Sequence, residues 1–313
     1  MGLKSFLPYG LLLALLMSFP LRVLAQSGGW WVVRAPMTSS RTEVAVVEVG
    51  GKLYVVGGFG QGGDLVEEYD PDKDGWRRRA SLPRALHHVG AAAVAGKIYV
   101  IGGYISGFGA VDTVYEYSPA SDQWRARASM PTVRGALAVG VIGGKIFAVG
   151  GVGKDGRNSN ANEEYDPLKD RWTKRASIPT PRDHLAIGVA GGKLYAIGGR
   201  VDGRHAKNLA ANEEYDRVAD KWRSRAAMPT ARSGIAAAVL DGKIFVFGGE
   251  SPSGTFNQNE SYDPAANSWT TWAPMPTARH GLGAAVAGKS IYVISGGPKP
   301  GGTYSSANEL FTP

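Results

Sequence analysis

Six near-copies of one segment fill this chain, and nothing else restricts its fold so strongly. Gly-Gly pairs stand at 57/58, 102/103, 150/151, 198/199, 248/249 and 296/297, in steps of 45, 48, 48, 50 and 48 residues. Ahead of each pair runs an apolar stretch entered through a Gly-Lys step, such as Gly51-Lys52-Leu53-Tyr54-Val55-Val56. An aromatic follows each pair: Tyr69, Tyr117, Tyr165, Tyr215, Tyr262 and Phe311. Seven residues past each tyrosine stands a tryptophan, at Trp76, Trp124, Trp172, Trp222 and Trp269.

Each unit reads as four short strands, a to d. Strand a is an apolar run such as Val89 to Val94, strand b ends at Gly-Gly, strand c carries Glu-Glu-Tyr-Asp-Pro, and strand d starts at the tryptophan. Short alternating strands punctuated by Gly and Pro indicate an antiparallel meander. One such sheet cannot bury both its faces alone, so the copies are expected to pack radially. The Gly-Gly, Tyr and Trp at these spacings closely resemble the kelch repeat, over residues 30–313. The resemblance implies an all-β, six-bladed β-propeller with four-stranded antiparallel blades.

The two ends complement each other. Asn308 to Pro313 matches strand c, which leaves the last blade without a strand d. Trp31-Val32-Val33-Arg34-Ala35-Pro36-Met37 matches Trp269 to Met275, so this segment is expected to close the ring as the missing strand. Residues 26–313 are thus read as one propeller. Residues 1–25 read as a signal peptide: Lys4, an uncharged apolar stretch from Phe6 to Phe19, then Val23-Leu24-Ala25 as the cleavage site. The stretch is too short, and too broken by Pro8 and Pro20, for a membrane span. A secreted or periplasmic location, with no membrane span after cleavage, is the expectation.

The chain has no cysteine, which excludes disulfides, thiolate catalysis and any copper site built on a Cys-linked tyrosine. Losing Lys4 and Arg22 with the leader takes the formal charge from +8 to +6. Much of it falls on strand d (Arg34, Arg77, Arg78, Arg79, Arg125, Arg127, Lys174, Arg175, Arg223, Arg225), where cations keep exposed edges from pairing. These residues are read as a solvated belt, and no nucleic-acid partner is expected. The Glu-Glu pairs of strand c read as parts of the repeat, not as catalytic dyads.

In a meander the d–a and b–c loops share one face. The b–c loops vary, with 11 to 16 residues from the second Gly to the aromatic, whereas the opposite turns are uniform. Variable loops on a rigid scaffold carry specificity, so the site is expected on the variable face. Ten residues after each strand-d tryptophan stand Arg41, Leu86, Arg134, Arg182, Arg232 and Arg279. The kelch resemblance implies that arginines at this position line the ligand pocket, in a ring broken at Leu86. Two residues further on, on the same side of an extended strand, come Glu43, His88, Ala136, His184, Gly234 and Gly281. Glu43, His88 and His184 are the candidate acid and base groups. Phe59, Tyr104, Arg200 and Glu250 follow their Gly-Gly pairs and are further candidates at the mouth.

Neither a metal nor another cofactor is expected. The five histidines (87, 88, 184, 205, 280) show no ligand spacing, and adjacent His87 and His88 should point to opposite sides of a strand. Asp155-Gly156 and Asp202-Gly203 lack the acidic density of a calcium loop.

The leading reading is a monomeric, noncatalytic binding module for an acidic ligand, either a carboxylated glycan or an acidic protein or peptide segment. The alternative is a carbohydrate-active enzyme. Exported kelch propellers with a similar architecture include a sialic acid mutarotase, and that resemblance implies arginines on the sugar carboxylate and an acid/base group at the anomeric centre.

Overall fold

The computed structural model describes residues 1–2 and 28–313. The expected leader, apart from Met1 and Gly2, lies outside the described residues.

Every unit folds as the meander read from its sequence. In the first blade, strands Ala45–Val49, Lys52–Val56, Val66–Asp70 and Gly75–Arg78 pair antiparallel in chain order. Four more blades repeat this order. The sixth consists of Gly283–Ala287, Ser290–Ile294 and Asn308–Thr312, completed by Trp30–Val33 from the start of the chain. Trp31 lies opposite Phe311, as the other strand-d tryptophans lie opposite their tyrosines. Among the described residues there is no α-helix, only 3₁₀ turns at Ser106–Phe108 and His205–Lys207. No helix there is long and apolar enough to cross a membrane.

Strand b is covered on both faces, which is why Leu53, Tyr54, Val55 and Val56 form an unbroken apolar run and are all buried. The apolar layers lie between blades. In one of them Ala92, Tyr99 and Ile101 of the second blade pack on Leu137, Ile146 and Tyr165 of the third. The six tryptophans that recur with the repeat each donate the indole N–H to an alanine carbonyl of the preceding blade, as Trp124 does to Ala80 O and Trp31 to Ala273 O. In the first four blades the tyrosine hydroxyl donates to an Asp five residues on, which also accepts the amide of that alanine, as in Tyr117–Asp122–Ala80. The Tyr-to-Trp spacing of seven is therefore a blade-to-blade clamp.

Two expectations need correction. The strand-d cations are not uniformly a solvated belt. Arg34, Arg79 and Arg127 reach into the next blade and donate to a tyrosine hydroxyl and a proline carbonyl, because one guanidinium has donors for both. Arg77, Arg125 and Arg223 do remain mostly exposed, paired with Glu68, Glu116 and Glu214. In the sixth blade the Gly-Gly pair is one residue out of register. Ser295 (φ 66°) and Gly296 (φ 100°) occupy the places of Gly57 (φ 64°) and Gly58 (φ 110°). The Ser295 hydroxyl donates to Arg41 O at 2.6 Å, a bond no glycine can make.

Candidate functional site

The five arginines of the expected ring do not line the pocket. Arg41, Arg134, Arg182, Arg232 and Arg279 are each 0% exposed. Each pairs with the first strand-c glutamate of its own blade: Glu67, Glu163, Glu213, Glu260 and Glu309. They also donate to backbone carbonyls near the Gly-Gly turn, as Arg41 does to Gly57 O and Leu65 O and Arg134 to Gly150 O. The guanidinium satisfies carbonyls that the turn strips from the ladder and ties the d–a crossover to strand c. In the second blade Leu86 stands where the arginine should, and Tyr115 replaces the glutamate, so the ion pair is exchanged for an apolar pair.

Two residues after each arginine position, the chain turns instead of continuing extended. Glu43, His88, Ala136, His184, Gly234 and Gly281 all have positive φ, between 52° and 66°. Their amides form a closed circle. Glu43 N–H donates to Gly281 O, His88 to Glu43, Ala136 to His88, His184 to Ala136, Gly234 to His184 and Gly281 to Gly234, at 2.6–3.1 Å. This ring caps the central channel and sends the Glu43, His88 and His184 side chains inward while the arginines enter the blades. The same turn overturns the expectation that His87 and His88 diverge: their Nδ1 atoms are 2.6 Å apart.

Above the ring lies a cavity of about 770 Å³. The four candidates that directly follow Gly-Gly pairs, Phe59, Tyr104, Arg200 and Glu250, line it, as does Val152 after a fifth pair. Phe108 and Tyr304 complete an aromatic wall, and Phe59 lies 3.9 Å from the His87 ring, centroid to centroid. The floor is densely polar. Glu43 Oε2 is 3.4 Å from His88 Nε2 and 4.0 Å from His184 Nε2, and Glu43 Oε1 is 3.8 Å from His280 Nε2. Arg200 bridges Asp183 at 3.1 Å and Glu250 at 3.0 Å, and its Nη2 lies 3.2 Å from His184 Nε2. Its charge is therefore already matched by two carboxylates.

Hydrogen bonds set the imidazole tautomers. His184 Nδ1 is bonded to Asp183, and His280 Nδ1 to Gly297 O. His87 donates Nε2–H to Ile105 O, so the neutral ring accepts at Nδ1, and His88 must donate its own Nδ1–H there. His88, His184 and His280 thus all turn Nε2 toward Glu43, and His184 Nε2 also accepts from Arg200 Nη2. Burial pushes His87 down to about 4, and burial followed by neighbouring cationic groups holds His88 well below the ordinary histidine value. Burial opposes ionisation of Asp183 and Glu250. Even so, Asp183 is lowered by His184 and Arg200, and Glu250 by His280, His205 and the Gly301 amide.

Sequence reasoning missed Asp183, His280 and His205 and set His87 aside. A usable signal was present: Asp183, His280 and His87 all stand one residue after the arginine position, so polar side chains cluster at two consecutive repeat positions.

A family model described as the KLHDC2/KLHL20/DRC7 Kelch-repeats domain matches residues 30–199 and again 136–311. Kelch-like protein 13 of Homo sapiens is 37% identical over 60 residues, covering 18% of this chain and 9% of that protein. Kelch-like protein 35 of Mus musculus is 39% identical over 56 residues, covering 17% and 10%. This chain thus spans about a tenth of the length of the curated relatives it matches. A solved structure titled "Structure of YjhT" superposes with a TM-score of 0.79 over 90% of this chain and 97% of that one, at 18% identity. That likeness is one of fold.

Proposed function

This chain belongs to the kelch-repeat family, and on that scaffold we propose that the loop-face cavity binds a small, neutral, hydroxyl-rich molecule of the sugar class. A fold of this kind hosts many functions, so the reading rests on the site. The observation that carries it is the convergence of the Glu43 carboxylate with the Nε2 atoms of His88, His184 and His280 on the cavity floor, a cluster of hydrogen-bonding groups that calls for polar partners from a ligand. Hydroxyl groups supply them. The Phe59, Tyr104 and Phe108 wall suits the apolar face of a sugar ring, and the volume falls in the range of small-molecule sites. The acidic ligand expected from the arginines loses its support, since those cations are buried and paired. Calorimetric titration with a panel of neutral and carboxylated sugars tests the reading. Neutral sugars are expected to bind, with little salt dependence, and Glu43→Gln to weaken them. A panel bound only through its carboxylates would overturn it.

One observation favours turnover as a second reading. Asp183 holds His184 so that its Nε2 faces the cavity, the arrangement of an oriented general base. Mutarotation would then appear as faster exchange between anomeric proton signals in NMR, falling about 10²-fold or more in His184→Ala. No acceleration with any bound sugar leaves a binding module.

Export by the 1–25 leader is likewise a proposal. N-terminal sequencing of the expressed protein should find Gln26 first.

A further inference from the structure

We propose that Glu43, His88 and His184 hold one divalent first-row transition-metal ion at the floor of the cavity. One donor atom from each lies within 4.8 Å of the other two. Atoms bound at ~2.1 Å to a common ion sit about 3.0–3.4 Å apart, so side-chain rotations of roughly an ångström complete the set. The backbone ring beneath can stay as it is.

The atoms behind the donors are arranged for this purpose. A metal-binding imidazole usually gives its other nitrogen to a carboxylate, carbonyl or similar acceptor, which fixes the ring and raises its basicity. His184 Nδ1 is bonded to the buried Asp183 carboxylate. His88 Nδ1 is bonded to His87, which is itself anchored on Ile105 O. Both Nε2 atoms face the same Glu43 oxygen, at 3.4 Å and 4.0 Å.

Two imidazoles and one carboxylate suit zinc, cobalt, iron(II) or manganese rather than calcium or magnesium. The remaining coordination positions face the cavity, as in sites that keep an open position for water or substrate. At the other ring positions Ala136, Gly234 and Gly281 leave room for the three side chains. A Cβ on Gly281 would stand 2.5 Å from Glu43 Oε1. Arg200 Nη2 now occupies the His184 lone pair at 3.2 Å, and the ion would displace that contact. Asp183 and Glu250 already match the guanidinium charge.

The test uses the chain from residue 26 onward, stripped with a chelator and titrated with ZnCl₂ by calorimetry and with CoCl₂ by visible absorption, without sugar. We expect one equivalent of either ion to bind, with cobalt d–d bands of a nitrogen- and oxygen-ligated site and a higher Tm in zinc. Asp183→Asn should weaken zinc binding about 10- to 100-fold, the usual effect of losing such a partner. Glu43→Gln and His88→Gln should weaken it further and abolish the cobalt bands. His205→Ala, on the rim beside Glu250, should change neither. Circular dichroism and metal-free Tm separate lost binding from lost folding. No saturable site, or zinc affinity within threefold of the parent in folded Glu43→Gln and His88→Gln, would overturn the proposal. So would loss of binding in His205→Ala. Sugar binding that survives while zinc binding fails removes the ion and leaves the cavity reading standing.

Discussion

Arg134 and Glu163 meet at 2.8 Å in the third blade, both nearly or wholly buried, and the second blade solves the same position with Leu86 and Tyr115. Removing one partner of a buried ion pair strands the other charge and costs about 3–5 kcal/mol, whereas replacing both can be close to neutral. Arg134→Leu alone should therefore destabilise by about that amount. Arg134→Leu with Glu163→Tyr, which copies the second blade, should recover most of the loss. Urea denaturation of the three proteins checks it, and a double variant no better than the single would mean that the pair does not act as a unit. Gly281 makes the complementary case. Its φ of 59° is close to the 52° of Ala136, so a methyl group is conformationally possible, yet it would meet Glu43 Oε1 and Thr42 Oγ1 at 2.5 Å. Gly281→Ala should cost about 1–3 kcal/mol, the scale of such local strain, and should push Glu43 out of the cluster. A Tm equal to that of the parent would sink this account.

Trp30–Val33 is a single strand, but it carries the closure of the ring. Trp31 packs on Phe311 at 4.9 Å and on Phe247 of the fifth blade at 5.9 Å, and it donates to Ala273 O. Removing residues 26–38 would leave the edge of Asn308–Thr312 unpaired and an interblade apolar layer open to water. Because each blade relies on its neighbours to bury its faces, the truncated protein should lose cooperative thermal unfolding, and calorimetry would show it. A sharp transition at the parent temperature would contradict closure by this strand.

Across the whole molecule, aspartates in the c–d turns repeat one clamp around the ring. A tyrosine hydroxyl bond lowers Asp74, Asp122 and Asp220 below the ordinary value, and the neighbouring-blade alanine amide adds to it. A carboxylate depressed in the folded state contributes stability above its unfolded value of about 3.9, and that contribution is lost as pH falls through the folded value. Stability should thus drop steeply below about pH 4. The fifth blade uses Asn267 at this position, where nothing titrates. Asp122→Asn is accordingly expected to be less stable than the parent at pH 7 but to lose less on going from pH 5 to pH 3. Equal slopes in urea denaturation across those pH values would remove the turn aspartates from the explanation.

The chain itself determined the blades, their number and their closure, because each follows from spacing along one strand or one repeat. Gly-Gly, Tyr and Trp recur at fixed steps, and Trp31 to Met37 carries the pattern missing after Phe311. It also marked Phe59, Tyr104, Arg200, Glu250, Glu43, His88 and His184 as residues of the variable face, and all seven line the cavity. Only the tertiary structure decided which polar groups meet. The arginines face the blades and not the mouth because a strand-c glutamate, distant along the chain, stands within ion-pair reach of each. Likewise, Glu43, His88 and His184 come from the first, second and fourth blades, 45 and 96 residues apart along the chain. No local pattern encodes that convergence. It arises because a closed ring of six backbone hydrogen bonds points inequivalent side chains from distant repeats at a single axis.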